Sequence, residues 1–347
     1  MKFYTGQHKH YCGIDLHARS MYVYVLDRAG VVLVHKNIAA APEPLLALIG
    51  PYREDLVIAV ECMFSWYWLA DLCAREKIGF VLGHALYMKA IHGAKAKNDR
   101  IDAHKIAALL RGGLIPQAYV YPAKMRATRD LMRRRNYLMR KRAELLAHIQ
   151  NTASQYNLPA LGVRVARPNE RKGVAAQFSD PSARKSIELD VAMIDHYDKV
   201  LPSLEHQIEQ TAQGHDPFAL SLLRSTPGIG QVLALSILYE IERISRFARV
   251  QEFLSYGRLV KPTQESAGKV LGHSGRRIGN AHLKWAYSEA AVCFLRANPR
   301  GQAMLKTLSD RHGKPKAMSI LAAKLARATY FMLKRKVPFE AERFYRT

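Results

Sequence analysis

The sequence carries four acidic residues in three separate segments whose types and spacing suggest chemistry at phosphorus. Asp15 lies within an apolar segment, and Glu61 ends an otherwise apolar run. Asp99 and Asp102 lie three residues apart at the start of a helical pattern, so they share one helix face. Converging carboxylates repel one another and raise each other's pKa unless a divalent cation binds among them. Carboxylate oxygens suit Mg²⁺ or Mn²⁺, and two such ions can support in-line displacement at phosphorus.

Each of these acids also has a structural interpretation. An Asp such as Asp99 commonly caps a helix or interacts with its first turn. Glu61 and Asp15 are harder to explain in this way, because each interrupts an apolar strand. The order strand, strand, helix is more specific than any single residue.

A glycine-rich basic stretch, residues 257–280, is a second candidate site. It contains two serines, Ser266 and Ser274, and a serine that attacks phosphorus needs an activating base or metal and cations for the developing charge. The cations of this stretch are Lys261, Lys269, Arg276 and Arg277. The residues alone do not distinguish the two serines, and hydroxyls that bond their own turns remain an alternative.

Residues 123–150 carry nine Lys or Arg and two acids, with leucines seven apart at Leu131, Leu138 and Leu145. This pattern predicts a helix with a heptad seam and a cationic flank. The flank favours contact with phosphates, and a solvated amphipathic helix is the alternative. The residues predicted to bind nucleic acid here are Arg133, Arg134, Arg135, Arg140, Lys141 and Arg142.

The run Thr226-Pro227-Gly228-Ile229-Gly230 separates two helical patterns. It is typical of a helix-hairpin-helix, in which Gly228 and Gly230 let main-chain N–H groups meet a DNA phosphate. Such contacts do not depend on base sequence. A tight turn between two core helices is the alternative.

Composition agrees with a polyanionic partner. The 347 residues carry 53 Lys and Arg against 29 Asp and Glu, a formal charge of +24, and 49% are hydrophobic. Wholesale disorder is excluded, and the charge favours nucleic acid. No apolar run approaches the length of a membrane span, and the start lacks the apolar core of a signal peptide. The four cysteines form no zinc-like spacing, so we expect a soluble protein of a reducing, intracellular compartment.

The elements that would position the acids follow an α/β pattern. Alternating and β-branched runs predict a three-strand meander, a helix, a strand, a helix and a strand. This is the element order of the ribonuclease-H-like fold, in which the first and fourth strands lie adjacent and parallel. The predicted elements are strands 11–17, 21–27, 31–37, 56–61 and 78–82 and helices 42–51 and 65–77.

The rest of the chain is predicted to be mainly helical. Residues 157–182 lack a clear period and predict a loop or mobile excursion. Residues 186–213 return to helical spacing and predict a partner for the first long helix, as an antiparallel hairpin or a dimerisation stalk. We predict three domains: 1–122 α/β, 123–216 coiled-coil helical, and 217–347 mainly helical with the helix-hairpin-helix.

Several of these motifs occur together in one order along the chain: Gly13-Ile14-Asp15, Glu61, Asn98-Asp99-x-x-Asp102-Ala103, Thr226-Pro227-Gly228-Ile229-Gly230, and Glu265-Ser266-x-Gly268-Lys269 to Gly279-Asn280. In that order they resemble the IS110/IS1111 family of insertion-sequence transposases over nearly the whole chain. Two positions depart from the family pattern. Ala267 stands where glycine commonly follows the serine, and Arg277-Ile278-Gly279-Asn280 stands for Lys-Arg-Gly-Asn.

The resemblance implies a RuvC-like domain whose carboxylate set corresponds to Asp15, Glu61, Asp99 and Asp102, and a catalytic serine at Ser266. It also implies Mg²⁺ (or Mn²⁺), a phosphoserine-linked DNA intermediate, and an element-encoded RNA that pairs with donor and target DNA. The resemblance also implies an assembly of several protomers, a dimer or tetramer, in which the acids and the serine come from different chains. A place in the bacterial cytoplasm, with the nucleoid, is implied as well.

We therefore predict a DNA transposase or site-specific recombinase that cuts and rejoins DNA through Ser266. One alternative is a RuvC-like junction endonuclease in which water is the nucleophile. Another is a non-catalytic nucleic-acid-binding protein. Acids within two apolar strands argue against a pure binder, because buried negative charge near DNA opposes binding.

Overall fold

The computed structural model of the protein describes residues 2–91, 98–261, 264–272 and 278–346. The chain divides into two compact units, Met1–Ala123 and Lys124–Thr347. In the described residues, no helix combines the length and the hydropathy that a membrane crossing requires.

The first unit contains seven described strands and four helices. The strands are β1 Phe3–Tyr4, β2 His10–Leu16, β3 Ser20–Asp27, β4 Val32–Ala39, β5 Leu56–Glu61, β6 Gly79–Gly83 and β7 Ile115–Pro116. The helices are α1 Pro42–Ile49, α2 Trp66–Arg75, α3 Ala85–Ile91 and α4 Asp99–Arg111.

A mixed five-stranded sheet forms the centre of this unit, in the order β4-β3-β2-β5-β6. β2 pairs antiparallel with β3 and parallel with β5, and β5 pairs parallel with β6. The predicted ribonuclease-H-like arrangement is confirmed, including the adjacency of the first and fourth predicted strands. The small sheet of β1 and β7 was not predicted, because strands of two residues carry no periodic signal.

The apolar strands are buried on both faces of the sheet. Ile14 and Ile58 belong to the core with α1 and α2, whereas Tyr11 and Val57 belong to the core with α4. Successive side chains of a strand point to opposite faces, so the odd-numbered residues of β2 and β5 face α4. Gly13 lies on that face, and a Cβ there would be 2.3 Å from the backbone nitrogen of Ala107. Glycine at this position therefore lets α4 pack directly on β2.

The second unit begins with two long helices, α5 Ala123–Gln155 and α7 Pro181–His215, with the short α6 Pro168–Arg171 between them. Arg135 pairs with Glu205, and Arg142 pairs with Asp198. Residue numbers thus rise along one helix as they fall along the other, so the helices run antiparallel, as predicted. The coiled-coil geometry stays a prediction.

The segment between these helices, predicted as a loop or mobile excursion, consists of short helical turns that pack against α7. Arg171 is only 1% exposed. Its guanidinium bonds the carboxylates of Asp195 and Asp198 on α7 and two backbone carbonyls of the segment itself. An arginine in a polar, aperiodic stretch resembles a surface residue in sequence, because its acidic partners lie more than twenty positions away.

The remaining elements form a helical core with one small hairpin. They are α8 Pro217–Arg224, α9 Gln231–Ile241, α10 Val250–Tyr256, β8 Gln264–Ser266, β9 Lys269–Gly272, α11 Ala281–Leu295, α12 Pro299–His312, α13 Lys314–Arg335 and α14 Ala341–Arg346. Met132 of α5 and Ile208 of α7 are buried in the same core as α9 and α11. The predicted segments 123–216 and 217–347 thus lie within one compact unit, and their division into two domains stays a prediction.

Candidate functional site

Asp15 and Glu61 lie side by side at the carboxyl ends of two parallel strands. The register of β2 and β5 pairs Ile14 with Val60, and the two acids are the next residues of their strands. Both occupy odd positions, on the sheet face that α4 covers. The side chain of Asp15 is 20% exposed, so it is partly withdrawn from water.

The first turn of α4 brings the other two acids to the same face. The Asn98 side chain caps the helix by accepting a hydrogen bond of 2.8 Å from the Ile101 N–H. This cap fixes the start of α4, so Asp99 and Asp102 lie in its first turn, where the helix dipole favours negative charge. Asp102 also pairs with Lys105 one turn on, at 3.4 Å.

The carboxylates of Asp15 and Asp99 converge on a third side chain, His17. The His17 Nε2 lies 3.4 Å from Asp15 and 3.5 Å from Asp99. One ligand atom from each of these residues lies within 4.8 Å of the other two, close enough to share a metal ion. Glu61 and Asp102 lie outside this group of three. His17 was not predicted, although its position two residues after Asp15 was the available signal.

The electrostatics of Asp15 agree with a cation site. Burial raises the pKa of Asp15, His17 opposes this effect, and the negative charges of Asp99 and Asp102 raise the pKa further. Asp102 is therefore within electrostatic reach of the cluster. Short-stemmed carboxylates that destabilise each other's ionised form are a donor set that fits a hard divalent cation.

Ser266 lies at the end of β8, in a two-residue hairpin with β9. It pairs in register with Lys269, and both side chains are exposed. The turn residues Ala267 and Gly268 have φ angles of 49° and 74°. Two consecutive positive φ values are typical of a type I′ turn, the tightest connection between antiparallel strands. The hairpin thus presents the Ser266 hydroxyl and the Lys269 ammonium to solvent.

The structure describes only one of the other predicted site residues outside the hairpin in this stretch. Lys261 is exposed just before the hairpin. Ser274, Arg276 and Arg277 lie outside the described residues.

Two hydrogen bonds to backbone carbonyls close the base of the excursion that carries Ser266. The Asn280 N–H donates to the Tyr256 carbonyl at 2.6 Å, and the Arg258 Nε donates to the Gly279 carbonyl at 2.9 Å. Gly279 has a φ of 100°, and a Cβ there would be 2.7 Å from the Tyr256 oxygen. Glycine is therefore needed at this crossing.

A buried acid, Glu240 of α9, is bonded to the residue that ends this excursion, Asn280. Its carboxylate accepts hydrogen bonds from Arg129 and Arg133 of α5 and from the Asn280 side chain, the last at 2.7 Å. Burial alone raises the pKa of Glu240, but the two guanidinium groups and Asn280 lower it to about 2. Asn280 also caps α11 through its side-chain oxygen. We call Glu240, Arg129, Arg133 and Asn280 the Glu240 cluster; sequence reasoning missed it.

Three of the six cations predicted on α5 are engaged with acids of other helices. These are Arg133 with Glu240, Arg135 with Glu205, and Arg142 with Asp198. Arg134 and Arg140 are exposed, and Lys141 pairs with the neighbouring Glu144. The structure therefore gives the first three a packing role, and nucleic-acid binding by the set stays a prediction.

The predicted hairpin between helices joins α8 to α9. Gly228 has a φ of 84°, and a Cβ there would be 2.5 Å from the backbone nitrogen of Phe294 on α11. Packing alone thus requires glycine at this turn. Gly230 is the N-cap residue of α9 and has open space around it. Its role as a phosphate contact stays a prediction.

Comparisons with known proteins match two segments of this chain to transposases. A family model described as "Transposase", for the DEDD transposases of IS110, matches residues 12–158, which include all four predicted carboxylates. The model "Transposase IS116/IS110/IS902 family" matches residues 220–306, which include Ser266. The transposase for insertion sequence element IS1111A of Coxiella burnetii (strain RSA 493 / Nine Mile phase I) is 24% identical over 255 residues, 69% of this chain and 67% of that protein. The two matched segments, both from models of IS110-type transposases, and the IS1111A relative show that the chain belongs to the IS110/IS1111 family of insertion-sequence transposases.

Proposed function

We propose that this transposase is an RNA-guided recombinase that cuts and rejoins DNA through a covalent bond to Ser266. The observation that carries the proposal is the convergence of Asp15, Asp99 and the first turn of α4 at the end of β2. The position of Ser266 at an exposed hairpin, beside a cation, supports its part in the reaction.

The acids of the first unit would hold a divalent cation beside the DNA backbone. Asp15 and Asp99 offer the converging oxygens, and Glu61 and Asp102 flank them on the same sheet face. Bound Mg²⁺ or Mn²⁺ would supply polarisation of the scissile phosphate and a lower pKa for the attacking hydroxyl. The His17 Nε2 lies near both carboxylates, and its interaction with Asp15 lowers the pKa of that acid.

Ser266 would act as the nucleophile. A bond forms between its Oγ and phosphorus, the bond from phosphorus to the 3′ oxygen breaks, and that oxygen leaves with the proton that the serine gave up. Lys269, opposite Ser266 in the hairpin, provides positive charge for the developing phosphorane. The 5′ phosphate stays on the enzyme, so its ester energy is kept for rejoining without ATP.

Target choice would come from an element-encoded RNA that pairs with donor and target DNA. The charge of +24 suits a protein that holds both nucleic acids. In the assembly that we propose, the acids of one protomer act with the serine of another. Sequencing the nucleic acid that copurifies with the protein tests the RNA: a single structured RNA supports it, and random fragments contradict it.

Trapping of cleaved DNA tests the reaction. With Mg²⁺, that RNA and labelled DNA that spans the element's ends, the wild-type chain should give protein-linked label. Ser266→Ala should give none, whereas the exposed control Ser319→Ala should keep it. Asp15→Asn should also abolish the product, whereas Glu43→Gln, an exposed acid on α1, should not.

Two other outcomes would contradict parts of the proposal. If Ser266→Ala cuts DNA normally but Asp15→Asn does not, water is the nucleophile and the protein is a junction-type nuclease. If replacing all four carboxylates leaves every activity of the wild-type chain intact, the acids have no catalytic role.

A further inference from the structure

A cavity of about 280 Å³ lies at the carboxyl-terminal end of the second unit, lined by α13 and residues 337–344. Three aromatic rings contribute to its walls, those of Phe331, Phe339 and Phe344. Ligand pockets commonly span about 300 to 1,000 Å³, so this cavity lies at the small end of that range and suits a ligand no larger than one nucleotide. Neither the predicted carboxylates nor the Ser266 hairpin belong to it.

More cations than carboxylates line the cavity. Its lining contains four cations and, among the described residues, the single carboxylate of Glu340. The cations are Lys324, Arg327, Arg335 and Arg343. For Lys324, Arg327 and Arg335, the described part of the chain contains no carboxylate at ion-pair distance. Burial lowers the pKa of Lys324, as expected for a partly withdrawn ammonium without a counter-charge.

The cations are held against the aromatic walls. The Arg327 and Arg335 guanidiniums lie 5.6 and 5.0 Å from the centre of the Phe331 ring, and the Lys324 ammonium lies 5.1 Å from that of Phe344. Such contacts restrict the side chains without neutralising them. A ligand with an anionic group and a flat apolar group would therefore meet cations and aromatic rings that are already oriented.

The wall of the cavity is also tied to the turn between α8 and α9. The Phe339 N–H donates to the Ser225 hydroxyl at 3.0 Å, and the Thr226 hydroxyl lies 3.5 Å from the sulfur of Met332. A strand that meets the predicted phosphate contacts of that turn would therefore be close to the cavity.

We propose that the cavity binds one unpaired nucleotide of a single-stranded nucleic acid, with its base against the phenylalanine rings and its phosphates on the cations. A base inside a duplex is stacked and paired and cannot enter, so the ligand is a single strand or an extruded base. The proposal does not depend on Ser266 chemistry, so it can fail or succeed independently of the function proposed above.

Binding of labelled oligothymidylate and oligouridylate dodecamers to the full chain tests the charges, by fluorescence anisotropy. Arg327→Gln with Arg335→Gln should weaken binding at least tenfold and reduce the salt slope by about 1.4, since each cation contributes roughly 0.7 for single strands. The matched control is Lys314→Gln with Lys316→Gln, which removes two exposed cations from the other end of α13. Tighter binding of one oligonucleotide identifies DNA or RNA as the source of the strand.

A second variant tests whether the nucleotide base packs against the aromatic wall. Phe339→Leu keeps apolar volume but removes the ring, so it should lose about tenfold for the thymidylate strand and little for an abasic strand of equal charge. Phe218→Leu, an exposed ring on α8, is its control. Circular dichroism should show unchanged folding. If each pocket variant binds like its control, or if the pocket variants weaken the binding of duplex as much as that of single strand, the cavity is not a nucleotide site.

Discussion

Ala267 is the residue that decides the shape of the Ser266 hairpin. Its φ of 49° lies in the left-handed region, where a side chain costs roughly 1 to 2 kcal/mol relative to ordinary conformations. Glycine has no such cost, and the family pattern commonly has glycine here. The hairpin of this chain is therefore held with some strain next to the proposed nucleophile.

Widening the side chain at this position should reduce reactivity without unfolding the protein. In Ala267→Val, the β-branched residue disfavours the left-handed turn, so Ser266 should leave its position and covalent product should form about tenfold more slowly. Ala267→Gly should match or exceed the wild type. Initial rates of protein–DNA adduct formation measure this, and thermal unfolding serves as the control, since an exposed hairpin contributes little to the core. A valine variant as fast as the wild type would contradict the assignment.

The candidate acids were predictable from sequence because local patterns fix their positions. An acid at the end of an apolar strand lies at the end of the sheet, so Asp15 and Glu61 could be placed side by side once the strand order was inferred. His17 was missed because nothing local shows that its ring lies between Asp15 and Asp99. That relation depends on α4, more than eighty residues further along the chain.

At the scale of elements, the Glu240 cluster joins three helices and the base of the serine excursion. Arg129 and Arg133 belong to α5, Glu240 to α9, and Asn280 caps α11. Removing one partner from a buried charged group leaves the others without compensation, which commonly costs 3 to 5 kcal/mol. The cluster thus stabilises the frame on which the excursion rests.

Low pH should lower the stability of the Glu240 cluster within a defined pH window. The pKa of Glu240 is about 2 in the folded chain, below its ordinary value of 4.5. The carboxylate therefore contributes stability that is fully present above pH 4.5 and is lost as pH falls toward 2. The contribution is about 3 kcal/mol. Urea unfolding between pH 6 and 3 should show a steeper loss for the wild type than for Glu240→Gln.

Other acids titrate in the same range, so a matched variant is needed. Glu188→Gln removes an exposed acid of α7 and should keep the wild-type pH dependence. If Glu240→Gln and Glu188→Gln give parallel curves, Glu240 is not the group responsible.

The helices themselves were largely predictable, but the faces of α5 were not. The heptad of leucines indicated a long amphipathic helix, and α5 has that form. Its arginines were interpreted as one phosphate-facing surface, yet Arg133, Arg135 and Arg142 meet acids of α9 and α7. A sequence shows the charge on a helix but not the acids that tertiary folding places opposite.

For the whole molecule, the acids and Ser266 belong to two separate compact units. A chain organised in this way can combine the acids of one copy with the serine of another. If the site is shared as we propose, activity would depend on assembly, and a lone protomer would not cut DNA.

Mixing two inactive variants tests this arrangement directly. Asp15→Asn and Ser266→Ala chains, mixed and allowed to exchange subunits, should recover part of the covalent product, because a mixed assembly contains one site with both intact groups. Two differently tagged preparations of Ser266→Ala, mixed in the same way, should remain inactive. No recovery despite demonstrated subunit exchange would show that each chain supplies a whole site.

The chain leaves and rejoins the helical core at one point, where Tyr256 and Asn280 are bonded through their backbones. A stretch whose two ends meet can grow, shrink or change composition while the helices beneath it keep their places. The sequence and length of this stretch could therefore change during evolution, and DNA binding by the transposase with them, while the helical core stays the same. Insertions and deletions among relatives should accordingly concentrate between these two residues.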